Sequence, residues 1–102
     1  MLFSLAMFPT DKRSDSVSAD VAKVIDIIDK SGLPYKVTSM ATLIEGDWNA
    51  VIPVINKARL MLRRKHSRVY IIMHIDDRKG ARNRLTGKVS SIEKQLKREV
   101  NK

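Results

Sequence analysis

The residues best equipped for binding chemistry stand close together near the middle of the chain. Thr42 and Glu45 are three positions apart in Thr42-Leu43-Ile44-Glu45-Gly46, at the end of a strand-like run and just before a glycine turn that feeds a helix. A hydroxyl both donates and accepts, and a carboxylate accepts. Strand alternation sends the two to opposite faces, so one site takes both only if the strand bends or the site wraps its end. Local structure also claims these residues: Glu45 and Asp47 suit the positive end of a helix, and Gly46 suits the turn. In the same way Ser16 and Ser18 read as helix caps and Tyr35 as a strand aromatic.

Other arrangements fail on spacing. Six residues separate Gly80 from the Gly87-Lys88 pair and no Ser or Thr follows Lys88, which excludes a phosphate loop. His74 and Asp76 share a strand face, but two ligands without a third read as a hydrogen-bonding pair rather than a metal site. The only histidines, His66 and His74, sit in a basic helix end and a strand, so no serine triad is legible. No nucleophile and base pair emerges, and we expect no catalysis and no cofactor.

The elements that must position these residues follow from hydrophobic periodicity. Residues 1–9, MLFSLAMFP, read as a strand, too short and without the flanks of a signal peptide. Val17, Val21, Val24, Ile25 and Ile28 form one helical stripe over residues 17–31, stopped by Gly32 with Pro34 behind it. Residues 35–46 read as a tight hairpin kinked at Thr38 and Ser39. A second helix begins near Asp47, with Val51, Val54, Ile55, Ala58 and Met61 or Leu62 as its buried stripe. Pro53 fits that helix only in its first turn or at a kink. Residues 68–75, RVYIIMHI, are a nearly continuous apolar strand, expected to be covered by helices on one face and by a partner on the other. Val89, Ile92, Leu96 and Val100 mark a third amphipathic helix. The predicted architecture is α+β, a single domain over residues 1–102: a ferredoxin-like βαββαβ sandwich with an extra C-terminal helix.

Charge divides the chain. It has 102 residues, a formal charge of +9 and no cysteine. Residues 1–56 carry 5 basic and 7 acidic side chains, whereas residues 57–102 carry 15 and 4. The missing cysteines exclude a disulfide framework and suit a reducing compartment; with no long apolar window, a soluble cytoplasmic protein without a membrane span is expected. The basic half makes nucleic-acid or polyanion binding the alternative function, detectable as a steep salt dependence. Against it, the sheet is aliphatic where RNA-recognition modules place aromatics.

Ser16-Val17-Ser18, Ser31-Gly32-Leu33-Pro34-Tyr35, Met40-Ala41-Thr42-Leu43-Ile44-Glu45-Gly46, Arg68-Val69 and Asp76-Asp77-Arg78, in this order, resemble the small thiamine-binding protein family over most of the chain. The resemblance implies a ferredoxin-like subunit that dimerises through its sheet faces, commonly as a homotetramer. It also implies a pocket at strand ends and subunit interfaces for thiamine (vitamin B1) or its pyrimidine part. Ser18, Tyr35, Thr42, Glu45, Asp76 and Asp77 match positions assigned to that ligand. An aminopyrimidine needs an acceptor for its amine, hydroxyls for its ring nitrogens and an apolar wall. The cationic thiazolium suits the acidic N-terminal half. A phosphorylated form of the ligand would find Arg78, Arg82 or Arg84 near a turn. The helix-free sheet face, with alternate residues of Phe3 to Phe8 and of Val69 to Ile75, is expected to be buried between subunits.

Overall fold

The computed structural model describes residues 1–11, 17–80 and 85. Within them the chain forms β1 (Leu2–Pro9), α1 (Val17–Lys30), β2 (Tyr35–Val37), β3 (Thr42–Glu45), α2 (Trp48–Arg63) and β4 (Val69–Asp76). The four strands make one antiparallel sheet in the order β2-β3-β1-β4. With a helix in each half, this is the α+β arrangement of a ferredoxin-like fold. The expected C-terminal helix, Val89 to Val100, lies outside the described residues.

Alternation along β1 decides which face is which. Phe3, Leu5 and Met7 are buried, while Leu2, Ser4, Ala6 and Phe8 turn the other way. The buried set packs with Val24 and Ile28 of α1, Ile44 of β3, and Val51, Ile55, Ala58 and Leu62 of α2 in one core. Each large member stabilises the fold by roughly 1.5–3 kcal/mol through apolar burial. α1 closes where expected: Gly32 takes φ 78°, a left-handed conformation that glycine adopts without steric cost.

Three readings change in detail. Ser18 is not a cap but an exposed residue inside the first turn of α1. Pro53 lies beyond the first turn of α2, on its exposed side, where the backbone bond it removes faces water rather than core. β4 is less covered than its apolar run suggested. Paired residues share a face, so Ile71 and Ile75, opposite Met7 and Phe3, belong to the helix side. They are nevertheless 36% and 37% exposed, because β4 is the outermost strand and α1 packs on β1 instead.

At the far end of α2, His66 is buried between two carboxylates. Its Nδ1 lies 3.1 Å from Asp11 Oδ1 and its Nε2 3.3 Å from Asp20 Oδ2. Asp11 also accepts hydrogen bonds from the Ser67 backbone N–H and, at 2.9 Å, from the Ser67 hydroxyl. These contacts tie the end of β1, the start of α1 and the end of α2 together. The backbone donor of Ser67, foremost, holds the Asp11 carboxyl below its ordinary value.

Candidate functional site

Between α1 and the β2–β3 hairpin a cleft of about 220 Å3 opens beside the core. Val21, Val24 and Ile25 of α1 form one wall, and Leu5 and Met7 of β1 form the floor. The rim is the hairpin from Val37 to Thr42. Its turn is built by Thr38, whose hydroxyl donates to the Ala41 carbonyl at 2.7 Å and accepts from the backbone N–H groups of Ala41 and Met40 at 3.0 and 3.3 Å. A side chain that bonds its own turn holds the rim in shape before any ligand arrives. At its tip Met40 is 86% exposed, a flexible apolar side chain standing at the mouth.

Thr42 opens β3 and faces this cleft from below. Pairing with Leu5 puts it on the helix side, where it is 8% exposed. Among the described residues its hydroxyl meets no hydrogen-bond partner. A hydroxyl that lines a cleft and is not spent on the fold can donate to or accept from a ligand placed there.

The other residues implied by the resemblance are distributed elsewhere. Tyr35 also lies on the helix side, opposite Ile44, but its phenol donates to Asp29 Oδ1 of α1 at 2.7 Å. That bond to a carboxylate raises the phenol's pKa above its ordinary value and fastens β2 to α1. Ser18 is exposed on the first turn of α1 and does not line the cleft. Glu45 points to the opposite sheet face from Thr42, as strand alternation requires, because β3 does not bend between them. There it flanks Leu2, with Asp76 on the other side of the same residue.

Asp77 and Arg78 belong to a second cleft, at the other end of β1, together with Met1, Lys79 and the start of α2 at Asp47 to Asn49. Its aromatic wall is Trp48, half-exposed and tilted against Phe3 at a ring separation of 6.4 Å. Arg82 and Arg84 lie outside the described residues. The structure therefore brings Thr42 to one cleft, Asp77 and Arg78 to another, and Glu45 and Asp76 to the sheet face that no described helix covers.

Sequence reasoning missed two parts of this arrangement. The cleft walls at Val21, Val24 and Ile25 read only as a core stripe, since periodicity cannot distinguish a side chain that packs from one that borders a gap. Gly46 does more than turn: a Cβ there would come 2.9 Å from Val51 Cγ2 and 3.3 Å from Leu33 Cδ2. Its N–H also bonds the Met1 carbonyl at 3.0 Å. It is small because α2 and the β2 approach close on it.

The cleft-bearing fold has known counterparts. Residues 3–93 match the family described as thiamine-binding protein. A UPF0045 protein of Mycobacterium bovis is 33% identical over 85 residues, covering 82% of this chain and 83% of its own length. A hypothetical protein of Methanocaldococcus jannaschii superposes with a TM-score of 0.80 at 26% identity, over 89% of this chain and 93% of that one. A Thermotoga maritima protein, described as a candidate thiamine biosynthesis or salvage protein, gives 0.79 at 20% identity, over 89% and 96%. At that identity the last likeness is one of fold.

Proposed function

The chain belongs to the thiamine-binding protein family, and on that footing we propose that it binds thiamine or a thiamine-related pyrimidine without transforming it. The observation that carries the choice of site is the position of Thr42, a mostly buried residue whose hydroxyl meets no partner among the described residues, on a cleft whose walls are otherwise mostly apolar. A flat aminopyrimidine fits such a cleft: its faces lie against Val24, Ile25 and Met7 while a ring nitrogen or the amine engages Thr42. The rim carbonyls and the Ser39 hydroxyl supply further polar contacts. The thiazolium end extends toward the mouth and Met40.

Arg78 lines the separate cleft beside Met1, whereas Thr42 lines this one, so an unphosphorylated ligand suits this cleft better than a phosphorylated one. The homo-oligomer joined through helix-free sheet faces belongs to the same proposal. Leu2, Ala6, Phe8, Tyr70 and Ile72 present apolar surface there, with the Phe8 and Tyr70 rings 5.8 Å apart. No helix among the described residues is long and apolar enough to cross a membrane.

Calorimetry of thiamine, its phosphates and its pyrimidine half against two single variants tests the reading. Thr42→Ala lowers thiamine affinity about tenfold, the worth of one buried hydrogen bond, and Glu45→Gln leaves it nearly unchanged. The reverse pattern moves the site to the other sheet face, and no effect of either removes both. Turnover of a thiamine precursor by mass spectrometry would replace binding with catalysis.

A further inference from the structure

α2 carries two stripes at helical spacing. Val51, Ile55, Ala58 and Leu62 face the core, and Pro53, Lys57, Leu60 and Arg64 run along the outer side of the same helix. With Met61, and with Ile27 of α1 across from it, the outer stripe lines a groove of about 310 Å3 between the two helices. Leu60 is 46% exposed there, and no carboxylate lines the groove. It shares no residue with the Thr42 cleft, so what it binds is independent of the ligand.

Several cations near the groove are spent inside the chain. Arg59 donates through Nε and Nη2 to Asn56 Oδ1 at 3.0 and 2.8 Å, and Arg63 Nη1 donates to the His66 and Ser67 carbonyls at 3.1 and 3.4 Å. On α1, Lys30 pairs with Asp26 at 2.9 Å. Lys57 and Arg64 differ: both are exposed, and neither side chain has a partner among the described residues. They stand seven positions apart on α2, which is two turns and about 10.5 Å. Two unpaired cations therefore bracket an apolar floor of Ile27, Leu60 and Met61. Each half of that pattern gains from a different kind of cover, the floor from apolar contact and the ends from a carboxylate.

We propose that this groove docks an amphipathic helix of an acidic partner protein, with two carboxylates two turns apart and apolar side chains between them. A helix presents residues i, i+3, i+4 and i+7 on one face, which matches the cation, floor and cation in turn. An extended segment does not: three residues span about 10 Å but point to alternate sides. The chain's own C-terminal stripe, Val89, Ile92, Leu96 and Val100, is interleaved with Lys88, Lys94, Lys97 and Arg98, the same sign as the groove's ends. A second copy offers no match either. α2 has no carboxylate, and Asp26 and Asp29 of α1 are three positions apart and already bonded to Lys30 and Tyr35. Nucleic acid satisfies the two cations but brings no aliphatic side chain to the floor, which makes Leu60 the deciding residue.

Fluorescence anisotropy of a labelled peptide tests the docking. The probe is an alanine-based helical peptide with glutamates at i and i+7 and leucines at i+3 and i+4, and its control is the same composition scrambled. The native chain binds the probe about tenfold more tightly than the control, and Lys57→Glu and Leu60→Ser each weaken it about tenfold. Replacing both glutamates of the probe by lysines restores binding to the chain that carries Lys57→Glu and Arg64→Glu together. All three positions are exposed, so the variants keep the fold, and the rescue reads the charge pairing directly. Equal binding of probe and control, or no rescue by the lysine peptide, overturns the proposal. So does a Leu60→Ser chain that binds the probe as the native chain does and releases it to a single-stranded oligonucleotide, the behaviour of a surface that reads charge alone.

Discussion

The two sides of β3 carry residues of similar type into opposite circumstances. Thr42 and Ile44 face the helices, where Ile44 is completely buried and Thr42 looks into a cleft closed by α1. Leu43 and Glu45, their sequence neighbours, face a surface that no described helix covers. A polar atom on the first side stands in a mostly apolar setting, where a ligand that enters the cleft can bond it. On the second side a polar atom is solvated, and its specificity must come from whatever packs against the sheet. The difference makes Thr42 a stronger site candidate than Glu45, although the two look equivalent in the motif.

The largest test of that contrast is stability. Ile44→Ala costs about 3 kcal/mol in urea unfolding, through lost burial and the cavity left behind. Leu43→Ala costs less than about 1 kcal/mol in a monomer, and a larger cost at higher protein concentration would show that the open face is covered by association. Next comes the close approach beside the motif: Gly46→Ala costs about 2 kcal/mol, since its Cβ must displace Val51 or Leu33. A midpoint unchanged by that variant would mean α2 can shift outward freely.

Thr42→Val separates binding from folding. Removing a hydroxyl without a partner leaves the ligand-free chain equally stable or more so by about 0.5 kcal/mol, while thiamine affinity falls. Loss of both together would make Thr42 a structural residue.

The smallest effect is electrostatic and lies within the helix layer. The Asp11 carboxyl is held below its ordinary value, so its contribution is present above the unfolded pKa of about 4 and is lost as pH falls through the lowered folded value. Asp11→Asn therefore flattens the acid limb of the stability profile and leaves the alkaline limb unchanged. An unaltered acid limb would place the pH dependence elsewhere in the chain.

Much of this architecture is legible one segment at a time. The stripe from Val21 to Ile28, the Gly32 stop, the hairpin hinge at Thr38 and the alternation of β1 all express local rules, and the structure follows them. The separation of Thr42 from Glu45 was also readable, because a strand that does not bend has no other option. The residues that resemble the family's ligand positions did not converge as a set. Resemblance preserves positions along a chain, and positions at strand starts, strand ends and post-strand turns fall at different ends of an antiparallel sheet. The long-range polar contacts were equally invisible: nothing local connects Asp11 with His66, 55 positions apart.

By itself, the sequence determined the element order, the buried stripes and the family, since these rest on periodicity, turn chemistry and motif order. Only the tertiary structure decided which hydroxyl lines a cleft without a partner among the described residues, and which carboxylates lie on the sheet face that no described helix covers. Those depend on where α1 and α2 rest across the sheet. Their placement follows from packing against each other and against β1, a sum over many distant contacts that no single segment encodes.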